Sequence, residues 1–236
     1  SSDFKFKKVY VESNYVDDEL EGIRTIVDSV NHVKLTLSYK RDLLDGDAKL
    51  YRQNALSVLI NYENDVAKHT SFYENNACVL KNVYDFTSDT IKFSSIRYYS
   101  DTTEVSSYQY NGLKEDFSEY QMSHQNIVLD GPYVLRLNQF PLYTCQYQSG
   151  SIKGVSKRFF PSINVYSELD NDSPVSIERF FSKDQSPYKG KIDWETPSNR
   201  IKFAVRDGFI DGKYQTFDRN NNLLSERKYK KGILVK

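Results

Sequence analysis

Between Val33 and Tyr39 the chain alternates strictly, with Val33, Leu35, Leu37 and Tyr39 apolar and Lys34, Thr36 and Ser38 polar. Alternation at period two marks a strand with one face on a core and the other in water. Short segments rich in Val, Ile, Thr, Tyr and Phe continue along the chain, punctuated by Asn, Asp or Gly. Tyrosines set the rhythm: Tyr51, Tyr62, Tyr73 and Tyr84 stand 11 residues apart, and Tyr99 and Tyr110 resume the interval. One or two polar residues and then a turn former follow most of these rings, as in YRQN, YEND, YENN, YNG, YQSG and YKKG. An interval of 11 residues also equals about three helical turns. Turn formers in every interval would break such a helix repeatedly, so strands are expected.

Two intervals make a hairpin unit of about 22 residues, which strands of 5–6 residues and turns of 3–5 fill naturally. One hairpin is marginal in water, whereas neighbours side by side bury a shared face. The predicted fold is therefore mainly β: an extended, twisted antiparallel β-meander of hairpin repeats with little helix. Residues 1–32 read as an N-terminal strand (FKFKKVYVE) and an acidic loop packing on the sheet, and 33–236 as the repeat domain. The rhythm slips near 113–128, where Leu113, Phe117 and Tyr120 share one face of a short helix or belong to an irregular loop. It slips again near 182–199, where Pro187 and Pro197 argue against a central strand and Trp194 reads as a core plug.

Composition supports this picture. Only 39% of residues are hydrophobic, but 14% are aromatic, including 19 Tyr and 14 Phe, which suits thin sheets with one solvated face. The 32 basic and 32 acidic residues cancel, which disfavours nucleic acid as a partner because phosphate neutralisation supplies most of that affinity. No run approaches the ~20 apolar residues needed to span a bilayer. The opening Ser1-Ser2-Asp3, without methionine, suits a processed secreted protein, a lipoprotein lacking its acylated cysteine, or a trimmed form.

Candidate chemistry is sparse. His32, His69 and His124 are scattered, and no G-x-S-x-G, H-E-x-x-H or phosphate-cradling glycine loop occurs. No catalytic residue, metal or cofactor is expected. Cys78 and Cys145 lie in strand-like segments and read either as buried free thiols or, in an oxidising compartment, as a disulfide. Two acidic groups stand out, Asp17, Asp18, Glu19 and Glu21, and then Glu168, Asp170 and Asp172. Each reads as a solvated loop or as a patch for a basic partner; the first group is the partner-binding choice. Arg227, Lys228, Lys230, Lys231 and Lys236 form a basic C-terminal segment whose first reading is protection of a sheet edge, with membrane or partner contact as alternatives.

The segment DGKYQTFDRNNNLLSERKYKKG carries a resemblance. Asp211, Gly212, Tyr214, Phe217, Asn220, Leu223, Tyr229 and Gly232 fit the unit of the MORN-variant repeat found in bacterial antitoxin-like proteins, with Asn221 in place of the turn glycine. A partial copy retains Asp45, Gly46, Tyr51 and Asn54, with Ala48 at an aromatic place and a contraction before Tyr62. Another retains Asp130, Gly131, Tyr133 and Gly150, with Arg136 at an aromatic place. The resemblance extends over roughly residues 33–236 and is specific over the last ~25. Tyr51, Tyr62, Tyr73, Tyr84, Tyr110, Tyr133, Tyr214, Phe217 and Tyr229, with Gly131, Gly212 and Gly232, are thus expected to be structural.

What the resemblance implies is a non-enzymatic immunity protein or antitoxin. Its partner would be a cognate toxin encoded beside it, including phospholipase effectors delivered between cells. It also implies a periplasmic or membrane-anchored location through a lipid anchor absent from this chain, with a cytoplasmic location as the alternative. A repeat module that binds glycan or lipid through exposed rings is the second functional class.

Overall fold

The computed structural model describes residues 8–86, 90–112, 117, 119, 126–195 and 199–235. Among these the chain is all-β, with no helix, 71% of residues in strands and an antiparallel meander of 20 strands that does not close into a barrel. Two compact units divide it, 1–130 and 131–236.

In the first unit, β1 (Val9–Glu12) pairs with β4 (Gly22–Asp28), and β4 with β5 (Val33–Lys40). The N-terminal segment is therefore part of the meander itself. A two-stranded ribbon, β2 (Tyr15–Val16) and β3 (Glu19–Leu20), projects between β1 and β4 in sequence. After the short β6 (Leu43–Leu44) come β7 (Gly46–Arg52), β8 (Ala55–Glu63), β9 (Val66–Glu74) and β10 (Ala77–Asp85), each paired with the next. Strands β11 (Ile91–Tyr98) and β12 (Thr102–Tyr110) continue the series.

Strand β13 (Ile127–Leu137) crosses the division between the units. The second unit continues through β14 (Phe140–Gln148), β15 (Ser151–Phe160), β16 (Val165–Asp170) and β17 (Arg179–Ser182). It ends with β18 (Gly190–Glu195), β19 (Arg200–Arg206), β20 (Phe209–Phe217), β21 (Leu223–Lys230) and β22 (Ile233–Val235). Strand β18 lies inside the segment expected to be irregular. Gly190, Ile192 and Trp194 alternate toward the core there, and Pro187 stays outside the strand in an isolated bridge to Phe181. The segment near 113–128, read as a short helix or an irregular loop, lies outside the described residues apart from Phe117, Glu119 and 126–128, of which Ile127 and Val128 open β13.

The 11-residue rhythm has a concrete origin. Strands β8, β9 and β10 have nine residues each. The turns joining β7 to β10 are Gln53–Asn54, Asn64–Asp65 and Asn75–Asn76, with positive φ at both residues. That is the type I′ turn, whose twist matches that of the flanking strands. Past each turn the register slips, leaving Ser57, Lys68 and Val79 unmatched, again 11 residues apart. An extra residue switches which face the following side chains take. Successive tyrosines consequently alternate: Tyr62 and Tyr84 are buried at 7% and 8% exposure, while Tyr51 and Tyr73 are only half-buried. Lys34 Nζ lies over the Tyr51 ring, 5.9 Å from its centroid.

Three of the four Asp-Gly sites also share one conformation. Gly46, Gly131 and Gly212 have φ of 99°, 110° and 110°, a region that disfavours any Cβ-bearing residue. Each pairs across the ladder with the tyrosine that closes its copy: Gly46 with Tyr62, Gly131 with Tyr147 and Gly212 with Tyr229.

Each unit has its own core. Leu37, Ala48, Val58, Ile60, Phe72, Leu80 and Ile91 fill the first, which Phe117 closes by packing edge-on against Tyr84 and Tyr110 at 5.5 and 5.1 Å. Phe160, Val165, Phe180, Ile192, Phe203, Val205 and Ile210 fill the second.

Candidate functional site

The residues singled out from sequence go mostly into the scaffold. Asp17 and Asp18 occupy the positive-φ turn of the β2–β3 ribbon. Glu19 lies in β3, and Glu21 Oε2 accepts the Arg41 backbone N–H at 3.0 Å. In the second acidic group, Glu168 pairs with Lys157 at 2.8 Å, and Asp172 accepts the Gly154 N–H at 2.9 Å. Cys78 and Cys145 are free thiols, so the disulfide left open by the sequence is not formed. Burial pushes the Cys145 thiol up, away from reactive thiolate, although contacts with Tyr143 and Tyr147 oppose this. His69 lies on β9, where burial, then Lys81, lowers its pKa against the opposing effect of Asp47. Trp194 packs edge-on against Phe160 at 5.1 Å, as a core plug should.

Two features of the second unit have no such role. The first is an apolar and basic groove of about 560 Å³ on the face opposite the core. Its floor follows from strand register. Phe160, Val165 and Phe180 point into the core, so their neighbours Phe159, Tyr166 and Phe181 point away from it. Tyr166 stacks on Phe181 at 5.3 Å with planes 20° apart, and Phe140, 67% exposed, stands at the end of the groove. Lys157 and Lys183 line it; Glu168 neutralises Lys157, while Lys183 has no ion pair with a described residue. Aromatic rings held open to water on a rigid sheet cost solvation free energy and are the usual anchors of protein interfaces.

The second feature lies on the core-side face and is small and polar. A cavity of about 180 Å³ is bounded by Tyr143, Ser156, Arg158, Ser167 and Glu178. Ser167 Oγ donates to Glu178 Oε1 at 2.5 Å. The Arg158 guanidinium sits 4.0 Å from the same carboxylate and 5.8 Å from the Trp194 ring centroid. Burial raises the pKa of both Tyr143 and Tyr214 nearby, so both hydroxyls stay protonated.

No family model matches the chain, and no curated protein matches it significantly. The site therefore rests on its own geometry. Sequence reasoning missed Phe140, Phe159, Tyr166 and Phe181, although a signal existed. FF and FFS in SKRFFPS and ERFFSKD break the alternation, since of two adjacent rings on a strand one must face water. No three His, Cys, Asp or Glu side chains converge as metal ligands among the described residues.

Proposed function

We propose that this protein is a non-enzymatic immunity protein or antitoxin, which neutralises a cognate toxin by covering it with the outer face of its second unit. The observation that carries the reading is the groove of Phe140, Phe159 and Tyr166, backed by the Tyr166–Phe181 stack. Tyr166 is held by ladders on both sides, to Phe159 and to Phe181, so little of its side-chain entropy is lost when a partner covers it. The repeat character of the sheet, with Gly46, Gly131 and Gly212 in one shared conformation, supports kinship with the MORN-variant repeats and hence with antitoxins. The outer-face groove replaces the acidic ribbon of Asp17 to Glu21 as the preferred partner surface, because Asp17, Asp18 and Glu21 already serve turns and caps.

Co-expression with the product of the neighbouring gene tests this. The expected result is a stable one-to-one complex and protection of the host from that product. Phe140→Asp and Tyr166→Ala should each weaken the complex by roughly tenfold or more, as anchor truncations do. Absence of a complex and of protection would sink the proposal. A complex that both variants leave at full strength would move the interface elsewhere.

A further inference from the structure

The small cavity on the core side of the second unit contains a mismatch that a ligand would resolve. Arg158 NH1 and Glu178 Oε1 are 4.0 Å apart, beyond hydrogen-bond reach. Arg158 makes no hydrogen bond to a described residue, and its side chain is 39% exposed; that of Glu178 is 26% exposed. A guanidinium carries five N–H donors in a planar fork, and a carboxylate offers about four acceptor positions. Here Ser167 occupies one of those acceptor positions. Both side chains reach solvent, so a ligand hydroxyl here would take the place of water rather than fill a buried deficit.

We propose that this cavity binds a neutral polyhydroxylated ring, a single sugar or cyclitol unit. One hydroxyl oxygen set about 2.8 Å from each group would bridge the gap, accepting from Arg158 and donating to Glu178. Neither ion can play both parts, and a hydroxyl does. The opposite charges of Arg158 and Glu178 cancel, so a charged ligand would leave one of them uncompensated; a neutral ligand leaves none. Size narrows the choice further. At 180 Å³ the space lies below the ≈ 300 Å³ where drug-sized sites begin, yet it equals the share of roughly six waters. Tyr143 adds a ring edge, and its hydroxyl, hydrogen-bonded to that of Ser156, adds a polar rim. Mixed apolar and hydroxyl surface of this kind matches a sugar ring, which has apolar C–H faces and a polar rim. The cavity shares Tyr143, Lys157 and Arg158 with the lining of the groove but not Phe140, Phe159 or Tyr166, and its occupancy does not depend on the proposed toxin.

Trp194 supplies the readout, because the Arg158 guanidinium lies over its ring and must shift to bond a ligand. The whole chain would be titrated with glucose, galactose, mannose and myo-inositol, and with glucosamine, glucuronate and glucose 6-phosphate, following Trp194 fluorescence and ligand NMR line widths. At least one neutral ring should saturate with Kd about 1 mM or tighter, and its charged counterpart should bind about tenfold more weakly. Glu178→Gln, which preserves shape, and Ser167→Ala, which frees Glu178 without touching Arg158, separate the roles. The first should weaken binding about tenfold and the second should leave it or strengthen it. Phe140→Asp, in the groove, should leave it unchanged. No saturation by any neutral ring up to roughly 100 mM, equal binding of charged and neutral rings, or an unaffected Glu178→Gln variant would each overturn the proposal.

Discussion

Gln139 is held at φ 73° and its predecessor Asn138 at 45°, the two centres of the turn between β13 and β14. Left-handed conformation costs an L-residue about 1–2 kcal/mol, less for Asn and Asp, whose short side chains bond locally. Glutamine lacks that relief, and Asn-Gly is the best type I′ pair. Gln139→Gly is therefore expected to raise unfolding stability by about 1 kcal/mol, read as a higher urea midpoint at unchanged m-value; a lower midpoint would show that the Gln139 side chain contributes more than its backbone strain removes. This turn also shows how far the sequence was legible at this scale. Asn, Asp and Gly mark most turns openly, and Asp-Gly marks Gly46, Gly131 and Gly212. The unmatched Ser57, Lys68 and Val79 carry no residue signal, because a bulge is a property of two strands together.

Hairpins are joined to their neighbours by more than the strand ladder. The Asp65 backbone N–H donates to the Leu44 carbonyl at 2.8 Å, while Asp65 Oδ1 accepts the Leu44 N–H at 2.6 Å. Asp42 and Leu20 repeat the reciprocal pair, at 3.1 and 2.7 Å. Gly208 and Gly232 keep the backbone half, donating to the Tyr188 and Ile210 carbonyls at 2.9 and 2.8 Å. These contacts reach back some 20 residues, so the repeat is held as turn docked on preceding hairpin. Asp65→Ala removes the acceptor and places Ala at φ 63°, for an expected loss of about 2 kcal/mol. Asp65→Asn retains an acceptor and tolerates the conformation, and should stay within about 0.5 kcal/mol of the parent. Equal losses in both variants would mean that charge, not the clasp, is what Asp65 supplies. The Asn-Asp pair at this turn was visible as a turn; its second role needed the partner strand, as did the outer-face positions of Phe159 and Tyr166.

Across the whole molecule, buried apolar residues fall into two clusters with no member in common, one in residues 37–117 and one in 160–210. The sequence showed a single repeating texture and gave no sign of this division, because hairpin periodicity reports local pairing and not which faces meet over a distance. Repeat sheets approximate sums of local stabilities and neighbour couplings, so a defect in one core need not reach the other. Trp194, the only tryptophan, packs in the second cluster against Phe160, and its fluorescence reports that unit alone. Phe180, fully buried, touches Phe160 and Phe203 with ring centroids at 6.1 and 5.3 Å. Phe180→Ala should cost about 3–5 kcal/mol and lower the urea midpoint seen by Trp194. Ile60→Ala, in the first cluster, should cost a comparable ~2–5 kcal/mol in the far-UV circular dichroism transition and leave the Trp194 midpoint in place. If Ile60→Ala instead moves the Trp194 midpoint as far as Phe180→Ala does, the units unfold as one cooperative body, and the coupling through β13 outweighs the separation of their cores.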